Sequence, residues 1–144
     1  MDTRILAELG IAASLGLSVL GAIAGAAAVG PATIGAWKKC AVQNKPVPFV
    51  MVAFAAQPLS NVIYGFIVMN SLAASQILSD FQLLFMGIFA GLGIGAACLI
   101  QCRCAAHASD AYAETGQSFG HYIMVIGICE TIALFMMVFT ILFA

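Results

Sequence analysis

Four stretches of the chain are apolar for long enough to cross a bilayer: about Leu9 to Ala36, Pro48 to Leu72, Leu83 to Arg103 and Gly120 to Phe143. A span needs roughly 20 apolar residues at the rise of an α-helix, so the pattern predicts four transmembrane helices. Polar positions gather between them. Lys38, Lys39, Gln43, Asn44 and Lys45 separate the first two stretches, and Pro46 and Pro48 break and restart the helix there. The short linker from Ala73 to Gln82 carries Ser75, Ser79 and Asp80, and the third span ends near Arg103 and runs into a polar stretch from His107 to His121. The expected fold is an all-α membrane protein, one membrane domain made of two tandem helical hairpins over residues 9–72 and 83–144.

Composition agrees with that reading. Of the 144 residues 63% are hydrophobic and 8% charged, with a mean hydropathy of +1.09, whereas a soluble domain has about 25% charged residues. Only short connections remain outside the spans. A catalytic head or a nucleic-acid surface would have to come from a partner, so the chain is expected to be non-catalytic, to bind no nucleic acid and to hold no covalent cofactor. A cleaved signal peptide is the alternative for the first stretch, since Ala22 to Gly30 offers small residues. Against it, the leading residues include Asp2 and Glu8 beside Arg4, and the apolar run exceeds the roughly 7–15 residues of a signal core.

Lys38, Lys39, Lys45 and Arg103 all fall at the connections within the two hairpins. The positive-inside tendency puts the loops near 37–48 and 104–119 in the cytoplasm and both termini on the other side. Cys40, Cys98, Cys102, Cys104 and Cys129 are odd in number and mostly intramembrane, which argues against a disulfide scaffold. Cys102, Cys104 and His107 lack a complete zinc set, and small polarizable packing residues are the better reading.

Sliding the chain by 69 residues places Asn61 on Glu130, Ala32 on Gln101, and the first hairpin on the second. Identities under that shift are few, Ala27 with Ala96 and Phe66 with Phe135 among them, so the repeat is architectural, a duplicated two-helix unit. The first span carries Gly16, Gly21, Gly25, Gly30 and Gly35, and the third carries Gly87, Gly91, Gly93 and Gly95. Small residues spaced by about a turn let backbones approach closely in lipid. Ordinary packing within the chain would explain some of them. Their density on the first helix of each unit predicts a tightly curved inner layer of helices, as inside a ring. Phe49, Phe54, Phe66, Phe135, Phe139 and Phe143 are expected on a lipid-facing outer layer.

Glu130 is the one ionisable residue inside the fourth apolar run. A carboxylate is costly in hydrocarbon, so it must hold a proton, hold a cation or pair with a protein group. No Lys or Arg lies at its depth. The second span brings Gln57, Pro58, Ser60, Asn61 and Tyr64 to about the same height, with Ser60 and Tyr64 on one face. Pro58 is expected to kink its helix and free a carbonyl near Phe54. Gln101 precedes Glu130 by 29 residues, as Ala32 precedes Asn61, which sets Gln101 level with the carboxyl. A carboxylate, carboxamide oxygens, hydroxyls and a freed carbonyl suit a hard cation, and a proton needs less. Packing between helices is the alternative for the polar side chains.

The stretch from Pro58 through Ser60, Asn61 and Tyr64 to Phe66, with Glu130-Thr131 in the fourth span and Gln101 before Arg103, resembles the membrane rotor proteolipid of V-type rotary ATPases. The match is to the form with two fused hairpins, and to the P-x-T-Q-x-x-Y-G-F pattern of its sodium-translocating bacterial members. The resemblance covers essentially the whole chain. It implies a Na+ site made of the Glu130 carboxylate, the Gln101 and Asn61 amide oxygens, the Ser60 hydroxyl and the Gln57 backbone carbonyl, with Tyr64 holding Glu130 closed. Ser60 and Asn61 stand where that pattern has Thr and Gln, and Asn61 is a methylene shorter. The resemblance further implies a homo-oligomeric ring in lipid, turning against a static membrane partner with an essential arginine, with central-stalk proteins at the cytoplasmic loops. A ring carrying H+ at Glu130, a small four-helix cation or drug antiporter, and a structural tetraspan are the rival readings.

Overall fold

A computed structural model describes residues 3–144. Among these residues every regular element is helical: α1 Thr3–Val42, a 3-10 turn Phe49–Met51, α2 Val52–Ala55, α3 Pro58–Ala74, α4 Asp80–Thr115 and α5 Phe119–Phe143. The 3-10 turn, α2 and α3 form one broken span, so four helical rods are long and apolar enough to cross a membrane.

α1 and α4 outrun the hydrophobic stretches that predicted them. Residues 104–115, expected as part of a loop, continue α4 for about three more turns. Hydropathy marks where lipid ends. Where the helix ends is decided by propensity and capping, and the alanine-rich run from Ala105 to Ala113 favours helix. Gly116, in the left-handed region at φ 64°, then closes α4. At the other end Ser79 and Gln82 form a reciprocal capping box.

The principal seam runs between α1 and α4, where glycine lets backbone meet backbone. A Cβ on Gly21 would collide with the Gly95 Cα, and one on Gly10 with the Leu84 Cα. One on Gly91 would sit 2.7 Å from the Ala13 carbonyl oxygen, and Gly87 and Gly95 face carbonyls of α1 in the same way. Packing within the chain therefore accounts for these positions. Gly16, Gly30 and Gly35 face open space, and Gly93 packs on Met136 of α5. Inside the seam the buried Thr33 and Ser109 hydroxyls bond each other at 3.0 Å.

α5 is the least enclosed span, burying only Ile126, Ala133 and Thr140. Phe49, Phe66, Phe135, Phe139 and Phe143 are exposed as expected of an outer layer. Phe54 is not. It is fully buried between Tyr112 and Phe119, because the break before Pro58 turns this short helix towards the ends of α4 and α5. The connections within the two hairpins lie together at one end of the bundle, where Lys39 Nζ bonds Asp110 at 3.2 Å and Glu114 at 2.5 Å. Lys45 Nζ donates to the Glu114 carbonyl there, and Trp37 Nε1 to the Pro48 carbonyl.

Candidate functional site

The break in the second span sets the site's geometry. Pro58 has no amide hydrogen, so the Phe54 carbonyl loses its helical donor. The Gln57 N–H takes that place, 3.4 Å from the Phe54 oxygen. The carbonyl released by the proline is therefore Ala53's, one residue earlier than expected. Gln57 Nε2 reaches back and fills it at 2.7 Å.

From Gln57 a row of amides crosses to α4 and returns. Gln101 Nε2 donates to Gln57 Oε1 at 2.7 Å, and Asn61 Nδ2 donates to Gln101 Oε1 at 2.9 Å. Asn61 and Gln101 are fully buried. The row ends on Asn61 Oδ1, which is buried and accepts no hydrogen bond. An unpaired buried acceptor costs about 1–3 kcal/mol, and a hard cation or a proton donor would relieve it.

The carboxyl is linked to this row through Tyr64 and Ser60. Tyr64 Oη donates to Glu130 Oε1 at 3.0 Å, joining α3 to α5. One turn before Tyr64, Ser60 lies against its hydroxyl and donates to the Gln57 carbonyl at 3.3 Å. Two sets of contacts result: Glu130 with Tyr64 and Ser60, and Gln57 with Gln101 and Asn61. Glu130 is half-buried, on the side of α5 that also carries the buried Ile126 and Ala133.

Each residue singled out in the sequence thus sits in one zone across α3, α4 and α5. The Gln57 side chain is the addition. Helical spacing put Gln57 among the polar residues at this depth and the resemblance implied only its backbone carbonyl, although an amide one turn after Ala53 and directly before a proline is placed for carbonyl capture. The sulfurs form two pairs, Cys98 with Cys102 at 4.0 Å and Cys104 with Cys129 at 3.9 Å. Among the described residues no group of three His, Cys, Asp or Glu side chains is gathered as a metal site would need.

The second hairpin, which carries Gln101 and Glu130, is the part of the chain that is similar to a known family. Residues 84–143 match the family model of the ATP synthase C-subunit. That family is a non-catalytic component of a membrane rotor, and the match spans α4 and α5 nearly end to end. No curated protein matches the chain. The matched domain and the four apolar rods together support a multi-pass rotor proteolipid that translocates an ion. Asn61, Ser60, Gln57 and Tyr64 lie on the second span, outside the matched residues, so the polar surroundings of Glu130 come largely from the other hairpin.

Proposed function

We propose that the chain is the ion-carrying rotor-ring proteolipid of a V-type ATPase and moves Na+ by reversible binding at Glu130. The observation that supports a cation is the buried, unpaired Asn61 Oδ1 at the end of the amide row, taken with the number of other oxygens, more than a proton alone needs. Glu130, Gln101, Asn61, Ser60 and the Gln57 carbonyl supply the oxygens, and Tyr64 holds the carboxylate in its loaded rotamer.

A cation on Glu130 cancels the charge that hydrocarbon penalises, so the loaded protomer passes through lipid as the ring turns. An arginine on a static membrane partner competes with Tyr64 for the carboxylate, opens the site and releases the ion to one half-channel. Reloading follows from the other. ATP hydrolysis belongs to other proteins of the assembly. The paired connections around Lys39, Asp110 and Glu114 face the cytoplasm and meet the central stalk, with both termini on the opposite side.

The match of one hairpin to a two-helix family and the 69-residue register of the other support a duplicated unit that kept one carboxyl. Carbodiimide modification of Glu130 in assembled membranes at fixed pH tests the reading. Saturable protection by sodium is expected. Unprotected modification at saturating sodium assigns the carboxyl to H+ instead.

A further inference from the structure

The direction of every amide in the row follows from its first member. The Ala53 oxygen can only accept, so Gln57 must present its NH2 group there and turn its Oε1 towards α4. Gln101 must then present its own NH2 to that oxygen, which points its Oε1 at Asn61. Asn61 answers with Nδ2 and is left with a buried oxygen that accepts no hydrogen bond. Reversing any one amide would set oxygen against oxygen or NH2 against NH2 at its junctions. The Ala53 oxygen is available because Pro58 has diverted the Gln57 N–H to Phe54.

We propose that the Gln57 side chain is a positioning residue: anchored on the Ala53 carbonyl, it polarises the Gln57–Gln101–Asn61 row so that oxygen, and not NH2, faces the ion. This rests on the ion-site reading above and assigns a side chain that reading does not use. Without the anchor, Gln101 and Asn61 can invert together. Inversion turns the Asn61 NH2 group towards the site and repels a cation. The proline kink thus acts on the ion through the side chain that precedes it.

The test uses assembled rings in native membranes and the sodium concentration that half-protects Glu130 from carbodiimide. Gln57→Met keeps the length of the side chain and loses the anchor, and is expected to raise that concentration about tenfold. Pro58→Ala restores a regular helix and returns the Gln57 N–H to Ala53, evicting the side chain, and is expected to raise it at least about threefold. Because both act through one carbonyl, the double variant is expected to be no weaker than the weaker single one. A role in packing alone predicts that Met, of equal length, changes nothing.

Half-protection unchanged in whichever variants assemble, or losses that simply add in the double variant, would overturn the assignment. Should sodium fail to protect the unsubstituted chain, the sodium reading falls separately. The same variants are then scored by the pH midpoint of the Glu130 reaction. An unmoved midpoint ends the positioning role, and a shift of about half a unit or more sustains it for a proton.

Discussion

Asn61 and Glu130 occupy the same register in the two hairpins and have opposite surroundings. Asn61 is fully buried, its NH2 tied to Gln101 and its oxygen unpaired. Glu130 is half-buried on the most open helix, held by one phenolic hydrogen bond. A neutral amide can be sealed inside because hydrogen bonds meet most of its needs. A carboxyl sealed that way could not exchange its partner. One hairpin thus buries an amide at this register, and the other keeps a carboxyl on its most open helix.

Exchanging the two roles has the largest expected effects. Glu130→Gln is expected to reduce ion-coupled ATP hydrolysis by roughly 100-fold, about 2.7 kcal/mol of lost coupling, while the ring still assembles. Activity retained in that variant would remove the carboxyl from the mechanism. Asn61→Asp places a second carboxyl at a fully buried position, and a destabilisation of about 3 kcal/mol is expected from the buried charge. Thermal dissociation of the ring measures it, and an unchanged midpoint would mean that position 61 is not sealed in the assembly.

Substitutions that leave both roles in place are expected to do less. Gly21→Ala forces a methyl into the α1–α4 seam against Gly95, at an expected cost of about 1–3 kcal/mol. Gly30→Ala faces open space within the chain and is the paired control. Equal losses at both would show that contacts between protomers, not the seam, limit stability. Tyr64→Phe deletes one hydrogen bond to Glu130, so ion affinity is expected to fall by about 1 kcal/mol, near fivefold, and carbodiimide to react faster. An unaltered reaction rate would show that Tyr64 does not close the site.

Hydropathy alone carried the architecture, since four long apolar runs admit little besides four helices in lipid. It misjudged where α1 and α4 stop, because lipid thickness limits the apolar run and not the helix. The group of residues around Glu130 was legible from depth and helical spacing: Tyr64 and Gln101 needed only a common height. Hydrogen-bond direction was not legible. The positions of Gln57, Gln101 and Asn61 do not say which oxygen stays unpaired until the Ala53 carbonyl is seen to accept from Gln57. Phe54 was misplaced for a related reason, as a span broken at Gln57 no longer follows one helical face. The Thr33–Ser109 bond and the Lys39 contacts join residues more than 70 positions apart, a pairing that periodicity within one helix does not encode.

Whether Glu130 is the charged ligand of a cation site is decided by equilibrium binding of radioactive sodium to the purified ring. One sodium bound per chain, lost in Glu130→Gln and weakened in Asn61→Leu, is the expected outcome. No saturable binding to the unsubstituted ring, or binding that survives Glu130→Gln undiminished, would refute it.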